Sequence, residues 1–113
     1  MRLTLVLSFT LFVATAITVL ALMPTGTVEA PVRHDGPWNH GLAFAVLVAP
    51  LVSVVPRRIV IIAVAAALFG GTLELLQGLV GRSPEVLDVV ANLVGVVAGC
   101  AVGCIASRWR IPD

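Results

Sequence analysis

Charged side chains are scarce in this sequence. Only 12% of its 113 residues are Asp, Glu, Lys or Arg, and 59% are hydrophobic, whereas soluble domains average about 25% charged and about 45–50% apolar residues. The mean hydropathy of +1.10 agrees with this count. So little charge cannot cover the surface of a water-soluble domain. The composition therefore excludes a soluble globular fold and predicts one integral membrane domain, residues 1–113.

Other scarcities exclude further classes of protein. Lysine and tyrosine are absent, and the net charge is only +1, so there is no basic patch and we expect no nucleic-acid binding. Cys100 and Cys104 form neither a CxxC redox motif nor a zinc ligand set, and we expect them to fill space as small apolar side chains. No glycine-rich phosphate loop and no hydrolase motif is present, so we expect no cofactor.

What the sequence does have is four long apolar runs, which cover residues 3–23, 38–55, 59–80 and 86–107. Such runs are helical in lipid, because no water is present there to satisfy exposed backbone groups. The first run has features of a secretory signal, but it is longer than the usual core of about 7–15 residues, and Pro31 would follow the cleavage point. We therefore expect a retained first helix and an all-α bundle of four transmembrane helices.

Arginine placement predicts the orientation. With the N-terminus inside the cell, five of the seven arginines are cytoplasmic and two are outside, which obeys the positive-inside rule. The five are Arg2, Arg57, Arg58, Arg108 and Arg110. An even number of spans then places both termini in the cytoplasm, as a multi-pass protein of the bacterial inner (plasma) membrane.

Polar side chains collect toward the outer face of this predicted bundle. They are His40, Glu74, Gln77, Arg82, Asp88 and Asn92. On the fourth span, Asp88 and Asn92 share one stripe with three glycines at four-residue spacing: Gly95, Gly99 and Gly103. We expect this stripe to face the third span, so that Glu74 and Gln77 lie against Asp88 and Asn92.

Intramembrane ionisable residues mark functional sites by default, but other interpretations stay open. Glu74 could pair with Arg82 simply to close the hairpin between the third and fourth spans, and Asn92 could pin two helices together. A metal site that uses His34 and His40 with Glu74 or Asp88 is disfavoured, because the spacing matches no recognised metal motif.

The arrangement of these residues resembles the VanZ-like family. It combines Asn39-His40 at the start of one helix, E-x-x-Q at 74–77, G-R-S at 81–83 and D-x-x-x-N-x-x-G at 88–95, so the resemblance covers residues 40–99. The family usually carries Asp-Lys four and three residues before the histidine, where this chain has Gly36 and Pro37. The resemblance implies a small bacterial membrane protein that lowers susceptibility to the glycopeptide teicoplanin.

Three functions are consistent with the sequence. The first is an outer-face site that engages a cell-envelope molecule, such as a lipid-linked precursor or glycolipid, with Arg82 holding an anionic group. The second is a structural or assembly subunit, and the third is a small proton-linked transporter. The residues favour binding over catalysis, and membrane lipid is a partner in every case. Four short helices also leave a homo-oligomer or a membrane partner open.

Overall fold

The computed structural model describes residues 2–22, 36–80 and 86–109, and all of their regular secondary structure is helical. This confirms the predicted all-α fold for these residues. The third predicted helix ends three residues early, because residues 78–80 form a 3₁₀ turn. The four helices are α1 (Arg2–Leu22), α2 (Gly36–Val54), α3 (Ile59–Gln77) and α4 (Val86–Trp109), with 3₁₀ turns at Pro56–Arg58 and Gly78–Val80.

Pro56 sets the connection between α2 and α3. A proline ring disfavours helical backbone angles at the preceding residue, and Val55 has φ −128° and ψ 65°. The Val55 N–H donates to the Leu51 carbonyl and the Arg58 N–H donates to the Val55 carbonyl, each at 3.0 Å. The chain therefore reverses within one tight turn at the predicted position.

Three helical segments are long and apolar enough to cross a membrane. They are Arg2–Leu22, Pro56–Gln77 and Val86–Trp109, with 21, 22 and 24 residues. At about 1.5 Å per residue, each matches a hydrocarbon core of about 30 Å. The apolar part of α2, Asn39–Val54, is shorter. The structure thus supports a membrane protein with three helices of spanning length.

The short helix α2 lies at the centre of the bundle. Its Phe44, Val48 and Val52 are the largest fully buried side chains among the described residues. Cys100 and Cys104 of α4 are free thiols that pack half-buried against this core. The other three helices carry most of the large exposed apolar side chains, and α1 has no fully buried residue. Such exposed apolar faces suit a lipid environment.

The tightest helix contact is made by Gly95, Gly99 and Gly103, and their partner is α2. A Cβ atom on Gly95 would collide with the backbone of Gly41, and one on Gly103 would lie 2.5 Å from the Ala49 carbonyl oxygen. The expectation that this stripe faces the third span is therefore wrong.

The reason is that α2 has a small-residue stripe of its own. Gly41, Ala45 and Ala49 recur at the same four-residue spacing, and a Cβ atom on Gly99 would lie 2.9 Å from the Ala45 carbonyl oxygen. Because α2 and α4 run in the same direction, each small residue of one helix meets one of the other in step. The sequence carried this signal on both helices.

We expect Gly95→Ala to destabilise the bundle, because the added methyl group has no room beside Gly41. Overpacking of this kind costs about 1–3 kcal/mol. The free energy of unfolding is measured by circular dichroism during titration of detergent-solubilised protein with sodium dodecyl sulfate. Gly71→Ala is the matched control, since a Cβ atom there meets nothing within 4 Å. Equal stability of the two variants would contradict the close contact.

Candidate functional site

One end of the bundle collects the polar side chains that the sequence singled out. α1 and α3 end there and α2 and α4 begin there, and we call it the polar end, defined by His40, Gln77 and Asp88. Two contacts establish this arrangement. The Gln77 side chain reaches Ala21 near the end of α1, and His40 faces Asp88 across the starts of α2 and α4.

His40 and Asp88 are the partly accessible pair at the polar end. The His40 Nε2 atom lies 3.8 Å from Asp88 Oδ2, and the side chains are 28% and 17% exposed. This separation is too long for a hydrogen bond but suits an ion pair when the imidazole is protonated. Asp88 lies in the first turn of α4, where the helix dipole stabilises a carboxylate. The pair can exchange protons or hydrogen bonds with a group that reaches this end.

Asn92 lies one turn deeper than Asp88, at a junction of α2, α3 and α4. Its amide nitrogen and the tip of the Phe44 ring would both lie 3.1 Å from a Cβ atom on Gly70. The missing side chain of Gly70 therefore makes room for both groups. Asn92 is only 5% exposed, and its Oδ1 atom has no hydrogen-bond partner among the described residues. A buried acceptor of this kind favours contact with a hydroxyl or N–H donor.

Glu74 is the buried carboxylate of the site, with 7% exposure. It lies one turn beyond Gly70 on α3, and Asp88 lies one turn beyond Asn92 on α4. Since α3 and α4 run in opposite directions, both steps lead about 6 Å toward the polar end. Glu74 and Asp88 therefore lie at about the same level of the bundle. A carboxylate at such a position is costly to bury, which favours a functional role.

Gln77 does not face the fourth helix, and the prediction that it lies against Asp88 and Asn92 is wrong. Its Nε2 atom donates a hydrogen bond of 3.1 Å to the Ala21 carbonyl oxygen. The last carbonyls of any α-helix have no N–H donor within that helix, so they accept from other groups. The side chain of Gln77 therefore caps α1 and ties it to α3.

Several predicted residues lie outside the described part of the chain. Arg82 is among them, so its pairing with Glu74 stays a prediction, and so does any role of His34. Within the described ranges, no three His, Cys, Asp or Glu side chains are grouped to hold a metal ion. Gly36 and Pro37, at the positions of the family's Asp-Lys pair, open α2.

Two residues that shape the site were not predicted as part of it. Gly70 lies four positions before Glu74, on the same face of α3. Phe44 lies four positions after His40, which places it below His40 on α2. Helical spacing from the polar residues was the signal that could have identified both.

No family model, curated protein or solved structure matches this chain. The resemblance to the VanZ-like family therefore stays a prediction that depends on the motifs alone.

We expect Gln77→Leu to loosen the contact between α1 and α3, because it leaves the Ala21 carbonyl without its donor. An interhelical hydrogen bond in a membrane contributes about 0.6–2 kcal/mol. Thr72→Val is the matched control, since that exposed hydroxyl bonds only the Leu68 carbonyl of its own helix, at 2.8 Å. Unfolding in mixed micelles should show a lower midpoint for Gln77→Leu alone. A change of equal size in both variants would argue against the cap.

Proposed function

We propose that this chain is a VanZ-like membrane protein of the bacterial envelope. Its polar end faces outward, engages a cell-envelope molecule and thereby lowers susceptibility to teicoplanin. The carrying observation is that three features lie at the same end of the bundle: a buried carboxylate, a buried amide oxygen with no partner among the described residues, and a partly accessible His–Asp pair. These groups are Glu74, Asn92, His40 and Asp88.

The arrangement suits recognition of a head group. Asn92 Oδ1 supplies an acceptor at the base, and the two carboxylates lie one turn above it. The partly accessible His40 can donate or accept a proton at the surface. In the sequence, Arg82 precedes α4 by four residues and would supply the cation for a phosphate group. We favour binding over catalysis, because the described residues of the site include no serine, threonine or cysteine beside His40.

The opposite end has no buried polar side chain in the part of the chain that the structure describes. The buried residues there include Val52 and Gly103. The hydroxyl groups of Ser53 and Ser107 each donate to a carbonyl of their own helix at 2.6 Å. A transport path needs polar groups on both sides of the membrane. This asymmetry supports a one-sided binding protein over the transporter hypothesis.

Four spans with both termini in the cytoplasm complete the proposal. Of the four helices, only α2 has an apolar part, Asn39–Val54, that is shorter than the candidate membrane spans. Its central position supports a span, because α1, α3 and α4 surround it and it needs less contact with lipid. The arginines supply the direction, since Arg57 and Arg58 lie at the opposite end from the polar site.

A structural or assembly subunit is the second candidate. The bond from Gln77 to Ala21 and the glycine contact between α2 and α4 favour it, because both hold helices together. It differs from the first candidate in predicting that loss of a polar-end residue lowers abundance before it changes any phenotype.

The first proposal is tested by Glu74→Gln, which removes the charge but keeps the shape. Wild type and variant are produced in a glycopeptide-sensitive Gram-positive host, and the inhibitory concentrations of teicoplanin and vancomycin are determined. We expect wild type to raise the concentration for teicoplanin, and Glu74→Gln to return it to that of the host alone.

Leu75→Ala is the control for this experiment, since Leu75 is next to Glu74 in the sequence but its side chain is exposed on the outside of the bundle. Each variant is quantified in membranes by immunoblot. Equal protection by wild type and Glu74→Gln would contradict a role for the buried carboxylate. Loss of Glu74→Gln from the membrane would instead support the assembly candidate.

The proposed topology is tested with single cysteines in a Cys100→Ser, Cys104→Ser background. We expect Arg57→Cys to react with a membrane-impermeant maleimide only after the cells are permeabilised. Ser83→Cys, in the predicted outer turn, should react in intact cells. The reverse pattern would contradict the proposed orientation. If both cysteines reacted in intact cells, positions 57 and 83 would lie on the same side of the membrane, which would contradict a single span between them.

A further inference from the structure

Arg57, Arg58 and Arg108, from two chain segments, lie at the end of the bundle opposite the polar end, where α1 also begins, and we call this the arginine end. Arg57 and Arg58 are exposed in the 3₁₀ turn Pro56–Arg58, and Arg108 is exposed in the last turn of α4. The turn contacts both α2 and α4. The fold therefore brings together cations that are about 50 positions apart in the sequence.

The arginine end has no acidic counterpart among the described residues. The carboxylates in that part of the chain are Glu74 and Asp88, and both lie at the polar end. The described part of the chain therefore supplies no carboxylate to neutralise Arg57, Arg58 and Arg108.

Exposed apolar side chains continue directly from these arginines. Val60 and Ile61 follow Arg58 on α3, and Ile105 precedes Arg108 by less than one turn on α4. A molecule that fits this surface combines an anionic head group with long apolar chains, because the charged and apolar contacts adjoin along both helices. A free phosphate ion would use only the first of these contacts.

We propose that the arginine end binds an anionic phospholipid through its phosphate group, with the acyl chains lying along the outward faces of α3 and α4. Guanidinium groups form paired hydrogen bonds with phosphate oxygens, which favours arginine for this contact. The site is independent of the proposed envelope function, since it lies at the other end of the molecule.

The chain contains its own reporter for this site. Trp109 follows Arg108 directly and is 82% exposed, whereas the only other tryptophan, Trp38, lies in the first turn of α2. Trp38→Phe therefore leaves fluorescence from the arginine end alone, and Trp109→Phe leaves it from the opposite end. Both variants are reconstituted in phosphatidylcholine vesicles that contain brominated phosphatidylglycerol or, separately, brominated phosphatidylcholine at equal mole fraction.

We expect brominated phosphatidylglycerol to quench Trp109 at least about twofold more strongly than brominated phosphatidylcholine, because several arginines attract the anionic lipid. Replacing Arg57, Arg58 and Arg108 should leave the quenching of Trp38 unchanged. Arg57→Gln, Arg58→Gln and Arg108→Gln combined should abolish the excess at Trp109. In Trp38→Phe with all three arginines unchanged, the excess quenching of Trp109 should also decrease as the sodium chloride concentration is raised. This measurement tests the proposal even if the triple variant does not fold.

Three results would overturn the proposal. One is equal quenching of Trp109 by the two lipids, and another is an excess that survives both the triple substitution and high salt. The third is an excess that inorganic phosphate removes while sodium chloride at the same ionic strength does not. That result would show that the site binds the free phosphate ion and not the lipid.

Discussion

The close approach of α2 and α4 is the contact on which the rest of the structure depends. It exists because Gly95 and Gly41 have no side chains to separate the two backbones. In lipid, helices gain little from burying apolar surface, so close packing and backbone contact supply much of their association. The helix with the shortest apolar part thereby becomes the centre of the bundle.

This contact also builds the polar end. Because α2 and α4 run in the same direction, their first turns lie side by side, which brings His40 to Asp88. One turn deeper, Phe44 and Asn92 meet over Gly70 of α3. A site with groups from three helices thus follows from one parallel pair and one glycine on the neighbouring helix.

The two ends of the bundle differ in chemistry as well as in shape. At the polar end, two carboxylates and an amide are mostly buried, and the Asn92 Oδ1 atom has no hydrogen-bond partner among the described residues, which favours a ligand with a donor group. At the arginine end, Arg57, Arg58 and Arg108 are exposed, and the apolar faces of the helices begin beside them. The first end suits a specific ligand, and the second suits the surface of the membrane itself.

The sequence by itself determined the all-α fold, the approximate bounds of the four helices and the turn at Pro56. Long apolar runs and a proline act through local physics, since backbone groups in lipid pair within their own helix. It also placed Glu74, Asp88 and Asn92 toward the same end, because helix direction alternates along the chain.

Only the tertiary structure decided which helix faces which. Helical spacing shows that Gly95, Gly99 and Gly103 share a face, but α2 and α3 both offered small residues to meet it. The stripe pairs with α2, whose Gly41, Ala45 and Ala49 match its spacing in a parallel arrangement. In the same way, helical spacing does not show which neighbour Gln77 contacts, and its side chain donates to the Ala21 carbonyl at the end of α1. Partner choice depends on the relative direction and fit of whole helices, which no local pattern contains.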